Sequence, residues 1–329
     1  MAPLPTTHLY FLNSCSGSVS SLFRRGPIRS LGDNCFAAGE TVLLVRQDRP
    51  NLMDRLRAFP PGRLVYLIDD DIQAASEDAS LPEDYRSRLM RFHEEYHADL
   101  VARADTLVVT SDTLLRKFSS HRDVRIVHPV WHLEAADDRH FDAMSHGGPI
   151  HAMHLGTASH QAGLDFLQPV VEVLLERFAR FHFSYVGRSP RLGVLDAHPR
   201  VHREKPQSWS RYRRTLARRR IHLGLYPLPD TPFNRARSRN KVLEHAIVGA
   251  VGVYSRSWPT AGESQGCAIL AGEDAADWIA ALSPYLEAPQ RLRHIAQVAR
   301  QSFAALNDRT AQRQFWAEVL GARLPLPIA

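Results

Sequence analysis

A chain of 329 residues is long enough for two α/β domains of ordinary size, and 44% hydrophobic against 23% charged content is that of a soluble globular protein. No apolar run approaches the roughly 18 residues of a bilayer span. The apolar run at the N-terminus stops at Leu12 without the basic start of a signal peptide, so a cytoplasmic location is expected, with docking to the inner face of a membrane left open by a net charge of +6.

The cysteines, Cys15, Cys35 and Cys267, are scattered and have neither disulfide-framework nor zinc-site spacing. In chain order, 8–12 (HLYFL), 41–45, 63–68 and 106–110 are short apolar runs predicted as strands. Between them, residues 82–104 are predicted as a helix, because Tyr85, Leu89, Phe92, Tyr96, Leu100 and Val101 recur at three- and four-residue steps. Strands alternating with helices imply βαβ units and a parallel sheet.

Residues 134–149 carry charge, Gly-Gly and Pro with little apolar periodicity, and mark a crossing between domains. A second series follows, with strands at 150–156, 181–187, 221–228 and 251–255 and helices at 163–178, 207–219, 239–247 and 275–286. The amphipathic stretch 289–320 closes it, its last part expected to reach back across the first domain. The expected division is residues 1–140, a Rossmann-like domain on the acceptor side, 141–305, a Rossmann-like nucleotide-sugar-binding domain, and 306–329, a returning helix.

Ligands of open α/β sheets bind beyond the carboxyl ends of strands, which directs attention to the loops after Gly156, Gly187, Leu228 and Ser255. The third loop continues as LPDTPFNRARSRNKVLEHAIVGAVGVYS. Pro232-Phe233-Asn234 forms a turn, and the next stretch opens a helix whose free N–H groups and Ser238 hydroxyl suit phosphate. Arg235, Arg237 and Lys241 add positive charge there. Glu244 follows Lys241 by about one turn, where a carboxylate accepts hydrogen bonds from a ribose diol.

This segment resembles the bacterial glycosyltransferases related to glycosyltransferase family 4, which have the GT-B fold. The stretches YLIDDDI (66–72), ADTLVVTSDTLLRKF (104–118) and HLGTASHQAGLDFLQPVVEVL (154–174) support the resemblance in the family's order. It implies an α/β architecture of two Rossmann-like domains with parallel sheets facing across a cleft. The reaction it implies is transfer of a sugar from a nucleotide sugar to a glycan, lipid-linked or other glycoconjugate acceptor, without a metal. It also implies that Ser238 and Lys241 contact the donor diphosphate and Glu244 the ribose, with Asn234 and Arg237 in the same donor motif. Two features depart from the family. Its second glutamate, eight residues before the ribose-binding one, is Ala236 here, so a retaining mechanism is not inherited. Its Arg/Lys pair after the first strand of the second domain is replaced by Thr157 and His160, next to Gly156.

Sugar transfer needs stabilisation of the departing diphosphate and, for inversion, a base for the acceptor hydroxyl. Asp69, Asp70 and Asp71 end a buried strand facing the expected cleft, where clustered carboxylates raise one another's pKa, and one of them is a candidate base; helix capping or cation binding are the alternatives. Ser14, Ser16 and Gly17 are candidates to approach the donor phosphates, the alternative being a flexible Gly/Ser turn without such a role. His93-Glu94-Glu95-Tyr96-His97 matches H-E-x-x-H and keeps a zinc hydrolase as a remote alternative, although no third ligand follows at zincin spacing. Otherwise His93 is a candidate acceptor contact.

Arg211–Arg220, RYRRTLARRR, is a basic helical stripe whose simplest use is a solvated face and whose second is docking to anionic lipid. No recognition module accompanies it for nucleic acid. No permanent cofactor is expected beyond the nucleotide-sugar co-substrate. An epimerase-type or non-catalytic nucleotide-sugar-binding protein of the same fold is the second alternative.

Overall fold

The computed structural model describes residues 3–20, 26–156, 161–264 and 266–324, and they build two sheets. The first sheet has the order β1 (Val19–Ser20), β2 (Ile28–Ser30), β3 (Cys35–Ala38), β4 (Thr41–Val45), β5 (Arg63–Leu67), β6 (Thr106–Val109), β7 (Val124–Ile126). The strands β4, β5 and β6 are buried almost throughout, which is why they read as continuous apolar runs.

The expected parallel sheet is mixed at one end: β3 runs antiparallel to both neighbours while the other pairs are parallel. The cause is local. Only Gly39 and Glu40 separate β3 from β4, and Gly39 takes φ +58, the left-handed conformation that tight two-residue hairpins require.

The second sheet is parallel throughout, in the order β10 (Val201–Glu204), β9 (Phe181–Val186), β8 (Ile150–His154), β11 (Leu223–Tyr226), β12 (Val251–Ser255), β13 (Ala268–Ala271). The chain winds outward from β8 in both directions, so the topological switch point lies between β8 and β11. Helix Gln161–Arg177 follows β8 and approaches closely enough that a Cβ on Gly163 would stand 2.6 Å from the Pro227 carbonyl.

Residues 8–12, expected as a strand, are helical. Pro5–Thr7, His8–Leu12 and Asn13–Cys15 form a continuous helix whose middle is a π-turn. A short apolar run does not separate a buried strand from a buried helix. Here Leu9, Tyr10 and Phe11 are all buried, and Pro5 at the start favours the helix. The carbonyls of Leu9 and Tyr10 accept from Gln312 Nε2 at 3.0 Å and Trp316 Nε1 at 2.6 Å, both on helix Arg309–Leu320. Trp316 also meets Phe11 edge-on, at 5.3 Å between ring centroids.

The loop after β11 crosses to the first sheet's side. Phe233 is buried among Ile72, Leu81, Leu89 and Phe92, Thr231 donates to Asp78 at 2.7 Å, and Ser111 donates to the Ala236 carbonyl at 2.7 Å. Among the described residues no helix is long and apolar enough to cross a membrane.

Candidate active site between the two sheets

A cavity of about 600 Å³ opens between the sheets, at the carboxyl ends of β5, β8, β9 and β11. From the first sheet's side come Tyr10, Asp69 and Asp70; from the second come Gly156, Gly187, Tyr226, Arg237, Ser238, Lys241 and Glu244. Gly187 holds φ +100, so the chain turns sharply off β9 at the cavity rim. Thr157 and His160 lie outside the described residues.

Helix Asn240–Ile247 begins at this cavity without a side-chain cap on its first N–H groups. Asn240, Lys241 and Glu244 line the cavity from its first turns. Glu244 is buried, with Oε2 against Lys241 Nζ and Oε1 accepting from the Tyr212 hydroxyl at 2.5 Å. Ser238 and the Tyr10 hydroxyl share a hydrogen bond of 2.5 Å across the two sides.

Arg237 lies over the Phe233 ring at 4.3 Å, with one terminal nitrogen 3.8 Å from Asp70 Oδ1. Its Nε and other terminal nitrogen are buried without a hydrogen-bond partner. Buried guanidinium N–H groups are costly to leave unpaired, and their fork geometry matches phosphate or carboxylate.

Opposite stands a charged cluster built on Arg46. This residue follows β4 with φ +55, an uncommon conformation outside glycine, and its guanidinium reaches Asp69 at 3.0 Å and Asp70 at 2.8 Å. Burial raises the pKa of Asp69, with Arg46 opposing and Asp70 reinforcing the shift, while Thr6 donates to its other oxygen. Burial also works against the Asp70 carboxylate, but Arg46 and Arg237 outweigh it and hold its pKa below the usual range. The two neighbouring carboxyls are thus driven apart, Asp69 upward and Asp70 downward.

Four other sequence candidates stand away from the cavity. Asp71 caps helix Ile72–Glu77 by accepting from Ala74 N at 3.0 Å, and Lys117 Nζ grips it at 2.7 Å, so its carboxylate is consumed by structure. Asn234 is buried in the turn after β11, donating to the Pro229 carbonyl at 2.9 Å. Gly17 is exposed in a short 3-10 turn. His93 follows helix Glu83–Phe92 as the first residue of the turn His93–His97, outside the cavity lining, its ring 5.5 Å from His97.

His97 Nδ1 is bonded to the Tyr66 hydroxyl at 2.8 Å, and among the described residues no group of three His, Cys, Asp or Glu forms a metal-holding set. The HEEYH stretch is a π-turn, which offsets the two histidines from their α-helical spacing.

The residues that the sequence did not point to as site residues are Tyr10, Arg46, Trp209 and Tyr212. Arg46 is a lone arginine after a strand, without signal. Tyr212 carried one, as an apolar position in the basic stripe: with Trp209 it forms the inward face of helix Trp209–Arg218, stacked at 5.9 Å and lining the cavity.

Residues 164–315 match the family model described as Glycosyl transferase-like. A search of curated proteins by sequence gives no match. Among solved structures, WaaG, a glycosyltransferase involved in lipopolysaccharide biosynthesis, is similar at 15% identity and TM-score 0.55, over 82% of this chain and 80% of that chain. Sucrose-phosphate synthase from Thermosynechococcus elongatus is similar at 13% identity and TM-score 0.56, over 80% and 69%. Alr3699/HepE of Anabaena, in complex with UDP-glucose, is similar at 15% identity and TM-score 0.55, over 79% and 72%. At these identities the likeness is one of fold, and the fold is GT-B.

Proposed function

We propose that this chain, which has the GT-B fold and carries a glycosyl transferase-like domain over residues 164–315, transfers a sugar from a nucleotide sugar bound in the cavity between the sheets to a glycan or lipid-linked acceptor. The reaction runs in the cytoplasm. The observation that carries this reading is the convergence of Arg237, Ser238, Lys241 and Glu244 on one cavity, facing Asp69 and Asp70 from the other sheet.

The donor diphosphate sits against the start of helix Asn240–Ile247, taking N–H groups of its first turn, the Ser238 hydroxyl and the unpaired N–H groups of Arg237. Lys241 adds the charge that stabilises the departing nucleoside diphosphate, so the leaving group is met by cationic side chains rather than by a metal. The ribose diol donates to Glu244, which Lys241 and Tyr212 hold in place. This puts the transferred sugar toward Asp69. Its raised pKa suits a base that takes the acceptor's hydroxyl proton as the new glycosidic bond forms. Similarity to a structure holding UDP-glucose makes uridine diphosphate sugars the first donors to test.

Thermal shift with UDP-, GDP-, TDP- and CMP-sugars tests donor binding, since a ligand present at about a hundred times its Kd stabilises by about 2.7 kcal/mol. One class should shift the wild type and neither Lys241→Ala nor Glu244→Ala. No shift with any of the four would sink the donor reading.

A further inference from the structure

Helix Trp209–Arg218 has two charged neighbourhoods, and the donor cavity uses only one side of it. Trp209 and Tyr212 face that cavity and Leu216 is fully buried. On the opposite side Arg211, Arg214 and Arg218 fall at three- and four-residue steps, on one face of the helix. Arg219 and Arg220 continue them.

These five arginines line a separate open groove of about 950 Å³, over the face of the second sheet that carries His151 and Ser184. Glu204 is the one carboxylate lining it, and Arg219 holds that at 2.6 Å. Arg220 bonds only main-chain carbonyls, and Arg211, Arg214 and Arg218 have no carboxylate partner among the described residues.

We infer that this arginine groove is a docking surface for an anionic phospholipid bilayer, with Arg211, Arg214 and Arg218 engaging lipid phosphates. Guanidinium binds phosphate through two parallel hydrogen bonds and is weakly hydrated, so it suits a phosphate-bearing surface better than solvent. The groove is open rather than enclosed and takes its arginines from two successive turns of one helix and the residues after it, which fits a field of headgroups better than one small anion. The one aromatic ring among the described lining residues, His151, is already stacked on His222 at 5.8 Å, so the groove offers no row of free rings of the kind on which successive bases of single-stranded nucleic acid stack. Nor does the outward face present a large apolar side chain for insertion, so docking is electrostatic and salt-sensitive.

Because Tyr212 stands on the other side of the same helix, docking holds the donor cavity about one helix diameter, ~10 Å, from the headgroups. That is the right neighbourhood for a lipid-linked acceptor; this clause alone rests on the transferase reading.

The test is co-sedimentation of the full chain with vesicles of phosphatidylcholine and with an equal mixture of phosphatidylcholine and phosphatidylglycerol. Binding is expected to the mixture alone and to disappear as salt is raised. The triple variant Arg211→Glu/Arg214→Glu/Arg218→Glu is expected to bind on the order of a hundredfold more weakly, at about a fivefold factor per arginine. The milder Arg211→Gln/Arg214→Gln/Arg218→Gln variant, with a wild-type melting curve, serves if the first fails to fold. Lys241→Ala should lose nucleotide-sugar binding yet sediment as wild type does, which separates failure of the donor reading from failure of this one. No binding to the mixture, equal binding to both vesicles, or undiminished binding by the folded triple variant overturns the inference.

Discussion

Tyr212 donates its hydroxyl to Glu244 Oε1 at 2.5 Å while Lys241 holds Oε2, so both oxygens of this buried carboxylate are engaged before any diol arrives. In the proposed donor site Tyr212 is therefore a positioning residue, acting through Glu244. Its own ring is fixed by Trp209, which lies 5.4 Å from Trp131, and Trp131 Nε1 donates to Asn240 at 2.9 Å. The helix bearing the proposed ribose and phosphate contacts is therefore clamped at both Asn240 and Glu244.

Tyr212→Phe removes one hydrogen bond to a charged group, worth about 1.5–3 kcal/mol, and leaves the ring stack intact. Donor affinity should fall by roughly ten- to a hundredfold, alongside a drop of several degrees in melting temperature. Calorimetric titration with the preferred nucleotide sugar checks this, and an unchanged Kd would remove Tyr212 from the site.

Asp69→Asn is expected to lower kcat by about 10²–10⁴ while donor binding stays within a few fold, as for loss of a general base. If Asp69 is the proposed base, its protonation in the wild type silences the reaction. Its pKa is raised by burial, so the acid limb of the pH–rate profile should lie above the ordinary carboxylate range, and the rate should fall as pH drops through it. A profile whose acid limb persists in Asp69→Asn would assign the base elsewhere.

The neighbouring Asp71 should behave in the opposite way. Asp71→Ala loses a helix cap and the Lys117 partner, which costs about 1–2 kcal/mol of stability, and leaves donor affinity unchanged. Denaturant unfolding and nucleotide titration of one sample distinguish the two aspartates.

Acid should weaken the fold through its buried histidines, of which His97 and His154 are examples. Burial lowers the pKa of His97 to about 3, with His93, Arg46 and Lys117 adding to the shift, and lowers that of His154 to about 3, with Lys241 adding. Both are neutral in the native state, whereas in the unfolded chain they take up a proton near pH 6.5. The unfolded state thus binds more protons between these values, and stability is present in full above pH 6.5 and lost as pH falls toward 3. From pH 7 to pH 5 each histidine should contribute a loss of about 2 kcal/mol. Urea unfolding at the two pH values measures it, and His97→Gln should show a shallower fall; an equal fall would exonerate His97.

Four strands of the second sheet were legible in the sequence: β9 alternates, with Phe181, Phe183 and Tyr185 buried while His182, Ser184 and Val186 are not, and β8, β11 and β12 are short apolar runs; β10 and β13, four residues each at the two edges of the sheet, were not. The cavity's Arg237, Ser238, Lys241 and Glu244 were legible because one stretch of chain carries them all. Residues 8–12 were not, since a helix enclosed on every side loses its polar face and with it the 3.6-residue pattern. Arg46 was hidden for another reason. Its contribution depends on one positive φ and on two aspartates 23 and 24 positions later, a relation that tertiary folding alone creates.

The helix of residues 5–15 and helix Arg309–Leu320 hold each other, through bonds such as Gln312 to Leu9 that span 303 positions. During synthesis the earlier segment therefore leaves the ribosome long before the Gln312 and Trp316 side chains that bond its Leu9 and Tyr10 carbonyls, and until then Val130 is its partner from the first half of the chain. Tyr10, which stands on it and closes the cavity onto Ser238, has its carbonyl bonded by Trp316 as its last partner in chain order. Sugar-donor binding should accordingly be among the last properties a nascent chain acquires, well after both sheets have formed.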